Sequence, residues 1–354
     1  MKIAVAMSGG VDSSAAAVIL LKEGHEVIGV TMRHYNYADC GFSKDEGIEA
    51  DIKDAAKVCE KLGILHHVID TSKEFKKIIE DNFITEYSKG RTPNPCTLCN
   101  PTIKWGVFLR EILKFGVEKI ATGHYVKLIE EDKAFHIYKA SDENKDQSYM
   151  LWRLNQRQLS KTLFPLADYS KSDARKIAKI MNLPVHDKGE SQEICFIKGH
   201  YEDYLKKYLE LKPGNITLPN GNIIGRHRGL PLYTIGQRKG INTPWKCPLY
   251  VMKLDIEKNE LMVTENPDDL LADVFFLEDV NWISGEKSED VSGISIRIRY
   301  NSNPAPIKNI REKGKLLLIE LENSTRAITA GQSGVLYKDN QLLGGGVILY
   351  NKGK

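Results

Sequence analysis

The first third of the chain alternates short apolar runs with longer stretches of helical spacing. Residues 2–7 form an apolar run of strand length, residues 13–22 are rich in Ala, Ile and Leu, and residues 26–32 form a second apolar run. Residues 48–62 return to helical spacing, 66–70 make a short third strand, and 73–88 and 104–115 are again helical, ahead of a strand at 119–122. A period near two marks strand and a period near 3.6 marks helix. Strands alternating with helices of this length predict an α/β fold, a parallel sheet covered on both faces. In such sheets ligands bind beyond the carboxyl ends of the strands.

The pattern changes after about residue 199. Pro213-Gly214, Pro219-Asn220-Gly221-Asn222 and Gly225 punctuate a turn-rich stretch. From about Asp273 apolar and polar residues alternate, most clearly in Ile294-Ser295-Ile296-Arg297-Ile298-Arg299-Tyr300, with strand-like runs at 315–322 and 346–350. This predicts a small antiparallel barrel or sandwich. The expected organisation is a catalytic α/β domain over 1–200, a small β-rich domain over 201–272 and a C-terminal β-barrel over 273–354. There is no internal repeat and no low-complexity segment.

Length agrees, since 354 residues exceed what one hydrophobic core usually serves. Hydrophobic residues at 42% and charged residues at 27% are ordinary for a globular protein. A net charge of only +3 gives no argument for nucleic-acid binding, although a local basic face can hide in a balanced total. The apolar run at the start is too short for a signal peptide, and no stretch is long enough to span a bilayer. The expected address is the cytoplasm, with no membrane contact. There the six cysteines stay reduced, so a close cysteine pair points to redox, metal or sulfur chemistry.

Two segments carry the chemistry. Ser8-Gly9-Gly10-Val11-Asp12-Ser13-Ser14 lies between a predicted strand and a predicted helix. Its glycines let backbone approach an anion, and the helix N-terminus adds free N–H groups and a positive dipole end. It lacks the Gly-Lys-Ser/Thr ending of the Walker loop and is not a Gly-x-Gly-x-x-Gly fingerprint. Asp12 would repel a bare phosphate, which suggests a Mg²⁺ ion between them. The second segment is Arg91-Thr92-Pro93-Asn94-Pro95-Cys96-Thr97-Leu98-Cys99-Asn100. Its prolines predict a stiff, extended loop, and the spacing of Cys96 and Cys99 lets both thiols face one ligand or each other. Cys195, in Ser191-Gln192-Glu193-Ile194-Cys195-Phe196, is a remote third candidate. Cys59 sits at a helical position and reads as core; Cys40 and Cys247 stay unassigned.

The glycine loop resembles the signature of the PP-loop ATP pyrophosphatases. Together with Thr92-Pro93-Asn94-Pro95, Cys99-Asn100, Ala121-Thr122-Gly123-His124-Tyr125, Lys145-Asp146-Gln147-Ser148-Tyr149, the Cys195 block and Tyr233-Thr234-Ile235-Gly236-Gln237-Arg238-Lys239-Gly240, it makes essentially the whole chain similar to the bacterial tRNA-specific 2-thiouridylase family. The resemblance implies ATP bound at Ala6, Met7, Ser8, Gly9, Gly10, Val11, Asp12, Ser13, Met32 and Gly123. It implies tRNA contacts at Asn94, Pro95, Cys96, His124, Lys145, Asp146, Gln147, Arg299, Tyr300 and Gln332. It implies a reaction in which the C2 oxygen of a wobble uridine is adenylated and then replaced by sulfur. In that scheme Cys195 carries a persulfide and Cys99 releases its sulfur, leaving a Cys99–Cys195 disulfide.

Many members of the family have Asp where this chain has Cys96. Three thiols with one open position can hold an iron–sulfur cluster, so Cys96, Cys99 and Cys195 are also candidate ligands of a 4Fe-4S cluster, and Cys96 tilts the reading toward it. The sulfur donor would be a cysteine desulfurase, a sulfur-relay protein or inorganic sulfide. By residue type, Lys145-Asp146-Gln147 combines a phosphate binder with two base-edge partners, Arg299-Tyr300 pairs a phosphate binder with a stacking ring, and Arg226, Arg228, Arg238 and Lys239 form a basic cluster beside Tyr233. Two rivals remain: another ligase on the same nucleotide fold, forming amides or argininosuccinate, which would not need the three cysteines; and a non-catalytic RNA-binding sulfur carrier, which would not need Asp12.

Overall fold

The computed structural model describes residues 1–37, 42–43, 45–189, 194–287 and 291–349. Cys40, Ser191, Gln192, Glu193 and Tyr350 lie outside the described residues. The chain begins with β1 (Lys2–Ala6), α1 (Val11–Lys22), β2 (Glu26–Arg33), α2 (Gly47–Leu62) and β3 (His66–Asp70). A helical stretch follows: α3 (Ser72–Phe75), a π-helical turn Lys76–Glu80 and α4 (Asp81–Ser88). After an extended link come α5 (Pro95–Cys99), a π-helical segment Asn100–Phe108 and α6 (Leu109–Leu113). The unit is completed by β4 (Lys119–Ala121), β5 (Val126–Glu131), β6 (Ala134–Lys139), α7 (Gln156–Leu159), β7 (Thr162–Leu163) and α8 (Lys171–Ile180).

Five strands form a parallel sheet in the order β3-β2-β1-β4-β7. The alternation along β1 divides its side chains: Ile3 and Val5 pack with α1, α2 and α8, while Ala4 joins Trp105, Phe108 and Ile112 on the opposite face. Both faces are thus covered, as the apolar runs require.

The expected extended loop around Cys96 and Cys99 is corrected. It ends at Asn94, whose Oδ1 accepts the Cys96 N–H at 3.2 Å, and Pro95 opens α5. Asn is a strong N-cap and Pro is tolerated at the first helical position, where its missing N–H has no partner to lose. Both thiols therefore ride on a helix.

The central region holds α9 (Tyr201–Tyr208), β8 (Gly214–Thr217), β9 (Ile223–His227), β10 (Tyr250–Asp255) and β11 (Glu260–Thr264), with the strands in the order β10-β11-β8-β9. Tyr233 is buried in its core with Ile216, Leu232 and Leu261. The tyrosine beside the basic cluster thus fills an interior.

The last strands are β12 (Leu271–Trp282), β13 (Ile294–Arg297), β14 (Ala305–Lys313), β15 (Leu316–Arg326), β16 (Ser333–Lys338) and β17 (Gln341–Leu349). They run antiparallel in the order β12-β15-β14-β13-β16-β17, and β17 pairs back on β12, which closes a barrel. The β5–β6 hairpin, which the sequence reading did not recognise, extends this sheet by pairing β6 with β17. Its turn residues Asp132 and Lys133 have φ of 49° and 64°, the left-handed geometry that tight hairpins use. One apolar core then runs through both units, with Trp105, Tyr149 and Trp152 beside Val335, Tyr337 and Leu342. Among the described residues no helix is long and apolar enough to cross a membrane.

Candidate active site

The carboxyl ends of β1, β2 and β4 open onto a cavity of about 370 Å³, a size typical of a small-ligand site. Ala6, Met7, Ser8, Asp12 and Ser13 line one part of it, with Met32 and Gly123 from the neighbouring strand ends. Ser13 Oγ accepts the Ser8 N–H at 3.1 Å and reaches the Gly10 carbonyl at 3.2 Å, which folds the loop on itself. Gly9 has φ of +66°, and a Cβ there would stand 2.3 Å from the Asp51 carbonyl oxygen. Gly9, Gly10 and Val11 shape the loop from behind; Val11 is a core residue. A Cβ on Gly123 would lie 2.6 Å from the Ser13 nitrogen. The glycine is thus required by the loop's own backbone, before any nucleotide is considered.

No side chain caps the N-terminus of α1. Its first N–H groups are left for an anion, so the loop fits the phosphates of a nucleotide. Asp12 is already engaged: Lys171 Nζ donates to both carboxylate oxygens at 2.7 Å, and Tyr125 OH donates to Oδ1 at 2.7 Å. A magnesium ion arriving with a nucleotide would have to displace Lys171 from one oxygen. Lys188 fastens the loop from the other side, donating to the Gly9 carbonyl at 3.0 Å, Asp51 at 2.9 Å and Asp54 at 2.7 Å. Neither lysine stood out in the sequence, because each meets its partners only through the tertiary fold.

Cys96, Cys99 and Cys195 line the same cavity, and all three are free thiols. Cys96 and Cys195 are exposed, yet the protein packed around their sulfurs disfavours the thiolate. Burial pushes the Cys99 thiol up to about 12 and raises Cys96 and Cys195 as well. The nearby thiols raise Cys195 further, and the Lys104 ammonium pulls all three down. Among the described residues no three His, Cys, Asp or Glu side chains are close enough to share one metal ion. Three thiols around one cavity nonetheless match the donor set of a larger iron–sulfur cluster. Cys59 is buried in the core, as its helical position predicts.

His124 and His34 line the cavity too. His124 Nδ1 lies 2.7 Å from Thr122 Oγ1, and its ring packs against Trp105 and Phe164. Burial lowers both imidazoles, His34 to about 4, so both are neutral near pH 7. Lys104 lines the same space, and sequence reasoning missed it. The available signal was its position five residues after Cys99.

The expected tRNA contacts divide. Asn94 caps α5, Pro95 and Cys96 reach the cavity, and Gln147 lines it while its Oε1 accepts the Tyr125 N–H at 3.1 Å. Lys145 is half-buried on the adjoining turn. Asp146 corrects the reading. It is 4% exposed, and its carboxylate accepts from Ala140 N, Ser148 N and Ser148 Oγ, so it braces the turn and cannot read a base edge. Arg299 donates to the Ala327 carbonyl at 2.6 Å, and Tyr300 OH donates to the Asp146 carbonyl at 2.9 Å. Gln332 donates to the Thr92 carbonyl at 2.8 Å. Gln332 therefore ties the barrel to the thiol-bearing segment, and Tyr300 ties it to the Lys145–Gln147 turn. In the central region Arg228 is paired with Glu202.

A glycine loop at the end of β1, an uncapped helix behind it and thiols across one cavity define a nucleotide-using enzyme of the PP-loop class. Family models described as the tRNA methyl transferase HUP domain, the tRNA methyl transferase PRC-barrel domain and the aminomethyltransferase beta-barrel domain match residues 1–199, 202–265 and 272–348. The chain is 41% identical to a tRNA-specific 2-thiouridylase MnmA of Pelobacter propionicus, over 98% of this chain and 97% of that one. It is also 41% identical to one of Methylobacillus flagellatus, over 98% of both. A 4-thiouridine synthetase solved with RNA and ATP is similar at 15% identity and a TM-score of 0.36, covering 58% of this chain and 50% of that one. The chain belongs to the tRNA-specific 2-thiouridylase (MnmA) family, whose members are tRNA sulfurtransferases.

Proposed function

We propose that this protein replaces the C2 oxygen of the wobble uridine of tRNA with sulfur, at the expense of ATP, in the cytoplasm. One observation carries the reading: the glycine loop and the three thiols open onto a single cavity. The C2 carbonyl is urea-like and its oxygen is a very poor leaving group. When that oxygen attacks the α-phosphorus of ATP, pyrophosphate departs. Sulfur then adds at C2, and AMP leaves with the original oxygen. The α1 N-terminus and Ser8 hold the phosphates, with Mg²⁺ between them and Asp12 once Lys171 moves aside. Lys145, Gln147 and the capped Asn94–Cys96 turn receive the extruded base.

Sulfur delivery rests on Cys96. Cys96, Cys99 and Cys195 are the residues that would hold a 4Fe-4S cluster, which when bound supplies an open iron position for sulfide. The thiol at position 96 favours this reading, because it completes a three-thiol donor set around one cavity. The second reading uses the same free thiols without metal. A persulfide on Cys195 attacks C2, and the Cys99 thiolate then attacks Cys195 Sγ, closing a disulfide and releasing the sulfur on the base. Anaerobic purification with iron and sulfide analysis separates the two, since absence of iron leaves only the relay. The function itself is tested by mass spectrometry of tRNA from cells lacking this protein and any paralogue. Loss of 2-thiouridine is expected, and an unchanged level would sink the reading.

A further inference from the structure

We propose that Lys188 is a positioning residue for the nucleotide: it neutralises Asp51 and Asp54 behind the glycine loop, where bare carboxylates would repel the phosphates of ATP. The assignment rests on the reading of that loop as the phosphate site and deepens it.

The need arises on α2. Asp51 and Asp54 stand three residues apart on that helix and share a face, and Asp51 lines the cavity with Ser8, Asp12 and Ser13. The helix backs directly onto the loop, since a Cβ on Gly9 would stand 2.3 Å from the Asp51 carbonyl oxygen. Two uncompensated carboxylates at that place would oppose a triphosphate. The Lys188 ammonium has three hydrogens to donate. Three acceptors meet it: Asp54 Oδ2 at 2.7 Å, Asp51 Oδ1 at 2.9 Å and the Gly9 carbonyl at 3.0 Å. Among the described residues no other cation comes within ion-pair distance of Asp51. Asp54 has a second, the exposed Lys57 at 3.8 Å. Asp12, the other carboxylate of the lining, is held by Lys171. The acidic charge bordering the phosphate site is thus cancelled partner by partner, and at Asp51 Lys188 does so alone.

Packing explains how Lys188 arrives there. After α8, Leu183 and Val185 sink into the core shared with α1 and α2. The Lys188 N–H then donates to the Val185 carbonyl at 3.0 Å, and Arg175 Nη1 donates to the Lys188 carbonyl at 3.4 Å, which ties its backbone to α8. The side chain is half-buried, so salt screens its pairs less than it would on an open surface. Burial works against the ammonium, but the hydrogen bonds to Asp54 and Asp51 outweigh it and raise the group above its ordinary value. It therefore stays charged wherever the carboxylates do.

The test is calorimetric titration of the full chain with ATP at constant magnesium, at low and at high salt. Lys188→Met is expected to weaken ATP binding on the order of tenfold at low ionic strength and by clearly less at high, because salt screens charge. Adding Asp51→Asn and Asp54→Asn to Lys188→Met should restore the parental affinity, and Lys188→Arg should keep it. The two asparagine changes with Lys188 intact should bind ATP more tightly than the parent at low salt. That variant reads out even where Lys188→Met fails to fold, which circular dichroism reports; weaker binding by it would overturn the proposal. Parental affinity in Lys188→Met would overturn it as well. A loss that the asparagines do not restore, or that salt does not change, would overturn it in favour of loop shape or a direct phosphate contact. A parent that takes up no ATP would sink the nucleotide reading of the loop and this assignment with it, a failure visible before any variant is made. No tRNA and no sulfur transfer enter the measurement, so it reads out even if the thiolation reading fails.

Discussion

His34 and His124 show how single residues set the conditions under which the cavity exists. Burial holds both imidazoles below their ordinary value of 6.5, and His66 and His227 shift the same way. A histidine whose folded pKa is depressed stabilises the fold fully above the unfolded pKa. That stability is lost as pH falls through the window down to the folded value, because only the unfolded chain takes up the proton there. Stability should thus be level just above about pH 6.5 and fall toward about pH 4, by on the order of 3 kcal/mol from His34 alone. Urea midpoints measured at stepped pH check this, and His34→Gln should flatten part of the slope. A midpoint that does not move with pH would refute the assignment. At this scale the sequence was informative where function needs a local signature. Ser8 to Ser13 and the Cys96/Cys99 spacing are short-range patterns that any reader can find. Lys171 and Lys188 carry no such pattern; their meaning comes from partners brought by other elements. Asp146 misled for the same reason, since a carboxylate between Lys145 and Gln147 looks exposed until its three internal donors are seen.

Among the elements, α5 matters most, because its two cysteines point where its first residue sends them. The Asn94 side chain and Pro95 fix that start. Asn94→Ala should cost about 1 kcal/mol of stability and lower thiolation, whereas Asn94→Asp keeps the cap and most of both. Thermal melting together with a thiolation assay separates the variants; equal behaviour of Ala and Asp would remove the cap from the account. The strand–loop–helix at the start and the alternating strands after Asp273 were legible from period alone. The start of α5 was not, because two prolines argue for extension until one of them falls at a helix N-terminus. The β5–β6 hairpin was passed over although its residues alternate, since nothing local says that it joins a sheet built from the far end of the chain.

For the whole molecule, the shared core decides cooperativity. Tyr337 of β16 is fully buried beside residues of the parallel-sheet unit, and its hydroxyl lies 3.1 Å from Ser148 Oγ. Tyr337→Ala should cost about 3–5 kcal/mol, lost from barrel and α/β unit together. Tryptophan fluorescence and far-ultraviolet circular dichroism should report one coincident urea transition in both the parent and the variant. Separate transitions would show two independent bodies.

The pairing of β6 with β17 also bears on how the protein is made. Ribosomes deliver a chain from its N-terminus, and N-terminal units usually fold first. Here β6 and the face carrying Trp105, Tyr149 and Trp152 wait for β16 and β17, which emerge long afterwards. Until then the nascent chain holds out an unpaired edge and a bare apolar surface, the two features that chaperones shield and that drive misassembly when they do not.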